Sequence, residues 1–455
     1  MADLLSLLDL GAAGLAAQHN GVAVAGNNTA NVNTEGYSRQ RIAFHAGLAA
    51  PLVGGVTTSS PRRVDSELLA GRERLASAAL GRSGARAPAL LDLEAGLVEG
   101  GPSIDEHLAD LWAGLQRVSA MPSDSLVRDA AIATAKALTD AMRQRADAVA
   151  RSRSEADARI RNGSDQATTL AKEIADINRA IRISDDPVQR DRRDVAAGKL
   201  AELVGGEGRI DADGQMRWVM PDGGVLVDGD HAARLVTSPD AATGFSKVEL
   251  VDGSRRRDVT ATLDGGSVGG DLAFRDVDSA QTASQLDQLA FDLTSSLNAV
   301  HRGGAGLDGV VGRDLFVPQA VVAGAASRIA VDPAMLADST RLATAAPGSG
   351  TGDNQFAIKL LAVRDQRVAG GGAKTLGEAA IDIIGDVGRS AADAKAAGVR
   401  DAEVGNHLAG LRDSLSGVDL DEELAKMVHF QHASEAMTRF LSTVDSMLGD
   451  LLTRL

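Results

Sequence analysis

Apolar residues recur most regularly along the last part of the chain, from Asp419 to Leu455. From Ser434 onward the steps alternate between three and four residues, which is typical of a coiled-coil seam. As one helix the stretch would be roughly 55 Å long at about 1.5 Å per residue. Asp419 stands where an N-cap is expected, and Glu422 is placed to be its reciprocal partner. The predicted seam consists of Leu420, Leu424, Met427, Ser434, Met437, Leu441, Val444, Leu448, Leu451 and Leu455.

A weaker heptad pattern begins the chain, where Leu8, Leu15, Val22 and Thr29 follow one another at intervals of seven residues. Glycines interrupt this pattern, and each glycine inside a helix costs about 1 kcal/mol relative to alanine. We therefore expect the N-terminal segment to be marginal alone and to become helical when it pairs with the C-terminal helix as a coiled coil. The glycines are Gly11, Gly14, Gly21 and Gly26.

Helical periodicity also recurs through the middle of the chain. The longest predicted helix runs from about Asp124 to Ile183, after a stop at 121–123. A shorter predicted helix over 66–86 is interrupted at Pro88, because proline lacks the backbone donor that a helix needs. Further predicted helices cover 104–118, 191–204, 276–301 and 354–366.

The texture changes between Gly206 and Arg275, where Asp-Gly pairs separate short alternating runs. An Asp-Gly pair between such runs is the strongest short-range signal of a β-hairpin. The segment therefore predicts a small antiparallel β domain inserted into a helical one. The pairs are Asp213-Gly214, Asp222-Gly223, Asp228-Gly229, Asp252-Gly253 and Asp264-Gly265.

Taken together, the patterns predict an α+β protein that is mainly helical. The terminal segments, 1–45 and 418–455, form a paired coiled-coil assembly domain in this interpretation. A helical-bundle domain covers 46–205 and 276–417, and the inserted β-rich domain covers 206–275.

Composition narrows the possible functions. The net charge of −15 repels phosphate backbones and anionic lipids, so neither nucleic acid nor a membrane surface is an expected partner. Aromatic residues make up only 2% of the chain, which disfavours small-ligand pockets. The chain has no cysteine, which excludes disulfides and thiolate sites. Its first residues do not resemble a cleavable secretory signal.

Two motifs invite a ligand interpretation that their context weakens. The segment Gly304–Gly309 spells a dinucleotide fingerprint, but it follows a predicted helix instead of a strand, so an ordinary glycine-rich loop is favoured. The segment Asp211–Gly214 resembles the start of a calcium loop. Met216 and Asp222 occupy the positions where that loop needs glycine and glutamate, so a β-turn is favoured instead.

Two pairs of charged or titratable residues receive plain interpretations. His429 and His432 could share a metal ion on one helix face, but without a third ligand they are interpreted as polar flanks of the seam. Arg192 and Arg193, with the aspartates around them, are interpreted as a solvated helix start. We predict no catalytic, cofactor-binding or metal-binding residue, and no cofactor.

Two segments at opposite ends resemble a known family. The first is Asn-rich and continues through Gly36-Tyr37-Ser38-Arg39-Gln40, and the second is Ser416–Glu423 followed by Phe430-Gln431. Together they resemble the bacterial flagellar axial proteins, and among these the hook-associated protein 1 family of hook–filament junction proteins. The resemblance extends over nearly the whole chain.

This resemblance implies a structural subunit, not an enzyme, in the extracellular flagellum. It implies export by the flagellar type III apparatus, with an export chaperone holding the C-terminal helix. The implied partners are further copies of the chain, the hook protein, and the second junction protein on the filament side. The residues expected at the assembly interface are Leu8, Leu15, Val22, Asn27, Asn28, Asn31, Tyr37, Leu424, Leu441, Val444, Leu448 and Leu451.

Two alternatives remain open at this point. Another axial subunit, a hook protein or a flagellin, would share the terminal helices but differ in the Gly36–Gln40 segment or in the helical middle. A dinucleotide-dependent enzyme that uses the Gly304–Gly309 loop would belong to a different class of protein and would bind nicotinamide or flavin nucleotides.

Overall fold

A computed structural model describes residues 2–46, 55–98 and 101–454 and confirms a mainly helical α+β fold. Leu455, the last residue of the predicted seam, lies outside the described residues. The helices are α1 Ala2–Ala30, α2 Glu67–Val98, α3 Ile104–Ala120, α4 Ser125–Ile183, α5 Pro187–Val204, α6 Gly266–Ala273, α7 Ser279–His301, α8 Ala325–Arg328, α9 Pro333–Ala337, α10 Gln355–Ala362, α11 Leu376–Ser416 and α12 Leu420–Arg454. The strands are β1 Gln40–Arg41, β2 Phe44–Ala46, β3 Val56–Thr58, β4 Arg62–Arg63, β5 Glu207–Ile210, β6 Met216–Val219, β7 Val225–Asp228, β8 His231–Ala232, β9 Arg234–Pro239, β10 Ser246–Asp252 and β11 Arg255–Asp258.

The longest predicted helix is confirmed almost to the residue, because its start is capped. The Asp124 carboxylate accepts the backbone N–H groups of Leu126 and Val127 at 2.9 and 3.3 Å. These bonds satisfy two of the four donors that a helix start leaves free. Helix α4 is 59 residues long and contributes residues to two separate buried cores.

The prediction that Pro88 interrupts a helix is wrong. Helix α2 continues through Pro88 to Val98. Its neighbours on both sides of the proline are buried, including Ala87, Ala89 and Leu90. The burial of this apolar face outweighs the lost backbone hydrogen bond.

The β-rich segment contains two antiparallel sheets, one of four strands in the order β5-β6-β7-β8 and one of three in the order β11-β10-β9. The first four Asp-Gly pairs occur where consecutive strands are connected, as predicted, and Asp228 and Asp252 are the last residues of β7 and β10. At the first of them the Gly214 N–H donates to the Asp211 carbonyl at 3.1 Å, which confirms the β-turn. The hairpin prediction at Asp264-Gly265 is wrong, because α6 follows it.

Helices α2 to α11 and the β-rich segment form the part of the molecule that we call the body. Two buried cores hold the body together. The first core joins α2, α3, the first half of α4, α7 and α11. The second core joins the second half of α4 with α5, α6 and both β-rich sheets, and Trp218 lies fully buried within it. The β-rich segment therefore packs on helices instead of standing alone.

Helices α1 and α12 pack against each other and leave the two cores. A Cβ atom placed on Gly11 would contact Leu441, one on Gly14 would contact Met437, and one on Gly21 would contact Phe430. The contacts move toward the end of α1 as they move toward the start of α12, so the two helices are antiparallel. Among the described residues, no helix is both long and hydrophobic enough to cross a bilayer.

Candidate assembly site

Small residues form the face of α1 that meets α12. A Cβ atom on Gly11 would lie 2.6 Å from the Leu441 Cδ2 atom, and one on Gly21 would lie 2.9 Å from ring atoms of Phe430. Both distances are shorter than carbon atoms tolerate, so the two backbones approach closely only because these positions lack a side chain. The buried positions of this face are Gly11, Gly14, Ala17, Gly21, Ala25 and Asn28.

The residues predicted as the seam of α1 lie beside this face. Leu8, Leu15 and Val22 are half-buried. Three of the four glycines that the sequence suggests as weak points are therefore contact positions, namely Gly11, Gly14 and Gly21, and the leucines flank them. The pattern of steps between buried positions could have indicated this face, since Gly14, Ala17, Gly21 and Ala25 follow helical spacing.

The predicted residues of α12 fall into two groups. Val444 is 2% exposed, and Leu441 and Leu448 are half-buried. Leu424 and Leu451 are 43% and 40% exposed, so they leave apolar surface uncovered. The structure thus brings the first group to the helix pair and leaves the second group accessible.

Helix α12 begins at the predicted cap, but Glu422 has another role. The Asp419 carboxylate accepts the N–H groups of Asp421 and Glu422 at 2.9 and 3.1 Å, which confirms the N-cap. The Glu422 carboxylate, predicted to return the capping bond, instead accepts two hydrogen bonds from the Arg39 guanidinium at 2.8 and 2.9 Å. The start of α12 is therefore bound to the segment that follows α1.

The end of α1, the turn after it and the start of α12 meet at one place, which we call the junction. The Asn28 side chain makes four hydrogen bonds there and is 1% exposed. Its Nδ2 donates to the Gln40 carbonyl and to Glu423 Oε2, both at 2.9 Å. Its Oδ1 accepts the Tyr37 hydroxyl at 2.8 Å and the Gln40 N–H at 2.9 Å. One side-chain amide thus bridges α1, the turn after it and α12.

The other predicted turn residues close the end of α1. The Asn31 Nδ2 donates to the Asn27 carbonyl and side-chain oxygens at 2.9 and 2.6 Å, outside the buried junction. Burial, with the nearby charges of Asp191 and Glu423, raises the pKa of Tyr37 to about 12. The Tyr37 hydroxyl therefore stays protonated and remains a donor to Asn28.

A cluster of charges surrounds this amide. Arg39 is 7% exposed, and its Nε lies 3.3 Å from Glu423, which is 2% exposed. The Lys426 ammonium lies 2.8 Å from Glu423 and 2.9 Å from Glu422. Hydrogen bonds from Lys426 and Arg39 hold the pKa of Glu422 below its ordinary value. The buried carboxylate of Glu423 is thus neutralised from both sides, as a buried charge requires.

The junction is attached to the body of the molecule through α5. Strands β1 and β4 pair as a short ladder, and the Ser38 N–H donates to Asp191 at 3.3 Å. Arg63 lies 3.2 Å from Asp191 and 2.6 Å from Asp194. The interpretation of this segment as solvated holds for Arg192, which is exposed, but is wrong for Asp191 and Arg193, which are buried and hydrogen-bonded.

Gly36 lies in the turn between α1 and β1, where the turn packs on α5, and its replacement gives a direct prediction. Its φ is +74°, and a Cβ atom would lie 2.2 Å from Val195 Cγ2. We expect Gly36→Ala to lower the free energy of unfolding by roughly 2–4 kcal/mol, from backbone strain plus overpacking. Gly253→Ala is the matched control, since its φ is +57° but nothing lies within 4 Å. Urea denaturation should show a larger loss at Gly36, and equal losses would contradict the packing argument.

The remaining candidate sites lie away from the junction. The Gly304–Gly309 segment follows α7, and Gly304 packs on the Phe356 ring. His429 and His432 are exposed on α12. Within the described residues, no group of three or more histidine and acidic side chains is arranged to hold a metal ion.

Two family profiles of flagellar proteins match separate parts of the chain. A family profile described as "Flagellar hook-associated protein FlgK helical domain" matches residues 90–316. A second profile, "Flagellar basal body rod FlgEFG protein C-terminal", matches residues 413–454 and so covers α12.

Whole-chain relatives agree with these matches. Flagellar hook-associated protein 1 of Escherichia coli (strain K12) is 23% identical, with 98% of this chain and 99% of the relative aligned. The protein of the same name from Bacillus subtilis (strain 168) is 25% identical over 96% of each chain. The solved flagellar hook junction protein FlgK from Burkholderia pseudomallei shares the fold, with a TM-score of 0.69 at 15% identity, covering 77% of this chain and 100% of that one. The chain belongs to the flagellar hook-associated protein 1 family.

Proposed function

We propose that the chain is a structural subunit that joins the hook to the filament of the bacterial flagellum and polymerises through its paired terminal helices. The observation that carries this proposal is the α1–α12 pair, which lies outside both buried cores. Asn28 and Arg39 bind the start of α12 to the end of α1 and the turn after it. An element that departs from the body and keeps apolar surface exposed is suited to packing against neighbouring copies.

The division into domains follows from the same observation. In this proposal, the terminal segments 1–45 and 418–455 form the assembly domain, and their contact is the coiled-coil layer of the polymer. The helical body and the β-rich segment, which share packing along α4, face outward. The charge of −15 keeps that outer surface soluble.

Exposed apolar residues mark where copies would meet. On one edge of α12, Leu420, Leu424 and Val428 are spaced by four residues and are 43%, 43% and 48% exposed. Residues with this spacing lie on one helix face. Near the other end of α12, Leu452 is 67% exposed, and Leu5 of α1 is 56% exposed. We propose that these positions, with Leu451, are covered by further copies.

Leu424→Glu tests this proposal. Because the side chain is already accessible, we expect the isolated subunit to keep the stability of the wild type within about 0.5 kcal/mol. Incorporation into flagella should fall at least tenfold, since a charge would be buried in an apolar contact. Motility of a complemented deletion strain and immunogold labelling of hooks measure it.

Leu126→Glu is the matched control, because Leu126 is 77% exposed on the helical body. This control should assemble normally. Wild-type incorporation of Leu424→Glu would contradict the proposed interface, and failure of both variants would point to a general effect of added charge.

The further partners follow from family membership. We propose that the chain contacts the hook protein on one side and the second junction protein toward the filament, after type III export to the cell exterior. An export chaperone would cover the exposed leucines of α12 before assembly. The absence of cysteine suits passage in an unfolded, unlinked state. No part of this role calls for catalysis.

A further inference from the structure

The β-rich segment has four edge strands, β5, β8, β9 and β11, and helices cover three of them. The free side of β5 faces α2, whose Arg74 Nη2 donates to the Gly208 carbonyl at 3.3 Å. On β9, the Thr168 hydroxyl of α4 accepts the Leu235 N–H at 2.9 Å and donates to the Leu235 carbonyl at 3.1 Å. Strand β8 also packs against α4. These three edges are therefore closed to an additional strand.

Strand β11 is the fourth edge, and its outer side is open. It pairs with β10 on one side, and within the described residues no helix packs along the other. The hydrogen bonds of an antiparallel pair involve alternate residues, so β11 turns the N–H and C=O groups of every second residue to solvent. A row of unpaired groups of this kind is a template on which another chain can pair.

The side chains of β11 oppose such pairing. The strand consists of three arginines followed by an aspartate, Arg255–Asp258, and all four residues are exposed. The neighbouring strand β10, in contrast, carries several buried apolar residues. A strand laid beside β11 would remove water from four consecutive charged side chains, and this desolvation disfavours the contact.

The three arginines differ in their bonding. Arg257 Nη2 lies 2.6 Å from Asp222, whose side chain is 9% exposed, so this ion pair belongs to the packing between the two sheets. Arg256 Nη1 lies 3.4 Å from Glu249 of β10. Arg255 has no ion-pair partner in the part of the chain that the structure describes. Since acidic groups stand so close, the barrier to pairing is the local desolvation of the charges and not a long-range positive field.

We propose that Arg255 and Arg256 protect the open edge of β11 and so prevent a second copy of the chain from adding a strand to this sheet. A second copy is the occupant to be excluded, because two β11 strands could pair antiparallel about a two-fold axis. This inference concerns the free subunit and goes beyond the proposed function. Its consequence is that crowded copies do not join through their β-rich segments.

Replacing the two arginines tests this proposal while Arg257 stays in place. The double variant carries Arg255→Thr and Arg256→Val, because both new residues favour strands and neither is charged. We expect the association constant of the full chain, measured by sedimentation velocity, to rise roughly tenfold or more over the wild type. Hydrogen exchange of residues 255–258 should slow as the protein concentration rises, because the free backbone groups then have partners.

The matched control carries Arg209→Thr and Arg217→Val, which remove the same two charges from the other sheet. Both side chains are exposed, at 72% and 53%, and the residues are cross-strand neighbours on β5 and β6. Because α2 covers the edge of β5, this control should associate no more than the wild type. Arg255→Thr alone, which breaks no ion pair, should raise the association constant in the same direction as the double variant and replaces it if the double variant misfolds.

Three results would overturn the proposal. The first is a folded variant that stays as monomeric as the wild type, and the second is an equal rise in the control. The third is association without slower exchange at residues 255–258, since the contact would then lie elsewhere. The proposed function is tested separately, because its own contact is detected at residues 420–428 of α12.

Discussion

Gly21→Leu will separate the terminal helices α1 and α12 and abolish assembly, while the helices of the body stay folded. A Cβ atom at this position would already lie 2.9 to 3.0 Å from three ring atoms of Phe430, and leucine adds three further carbons. Overpacking of this kind costs about 1–3 kcal/mol, which corresponds to roughly a five- to 150-fold loss in helix pairing. Hydrogen exchange should show α1 and α12 losing protection, while α3 and α4 keep theirs.

Gly26→Ala is the matched control on the same helix. Nothing lies within 4 Å of the position where its Cβ atom would stand. Alanine is favoured over glycine inside a helix by about 1 kcal/mol, so this variant should protect α1 as well as the wild type or better. If Gly21→Leu were protected like Gly26→Ala, the small-residue face would not be the contact between the two helices.

Arg39→Ala should have an effect of similar or larger size at the other end of the pair. Arg39 is 7% exposed and faces Glu422 and Glu423, and its removal leaves Glu423 buried with Lys426 as its remaining cation. Breaking one partner of a buried ion pair costs about 3–5 kcal/mol. Protection of α12 near residue 423 should fall by at least about a hundredfold.

Arg41→Ala separates this role from a general loss of charge, because Arg41 is exposed two residues away. It should change stability by less than about 0.5 kcal/mol. Arg39→Lys should lie between the two, since an ammonium cannot form the two parallel bonds to Glu422. An Arg39→Ala variant as stable as Arg41→Ala would remove the ion cluster from the account.

Local signals were sufficient where the structure depends on neighbours in the chain. The start of α4 was predictable because Asp124 caps it, and the β-turns were predictable because Asp-Gly pairs favour them. The pairing of the terminal helices with a leucine-flanked seam was also predictable in outline from periodicity. The contact face was not, because helix propensity counts glycine as a cost and carries no information about how closely two backbones approach.

The junction could not be predicted because its partners are far apart in the chain. Arg39 and Glu422 are separated by 383 positions, and nothing in either local sequence selects the other. Asp191 and Arg193 looked like surface charges at a helix start, and only the packing of β4 and the turn against α5 buries them. Helix α11 escaped prediction for a related reason, since six glycines weaken its periodicity and packing against α2 stabilises it.

A disulfide between the two terminal helices tests the central claim most directly, and the absence of native cysteine makes the result unambiguous. We expect Gly14→Cys combined with Met437→Cys to cross-link within one chain, because a Cβ atom on residue 14 lies 3.5 Å from the Met437 Cγ atom. The cross-linked subunit should be recovered both from the free protein and from hook–filament junctions isolated from motile cells. Preferential cross-linking of the out-of-register pair Gly14→Cys with Leu448→Cys, or bonds formed only between different subunits, would contradict a helix pair closed within each chain.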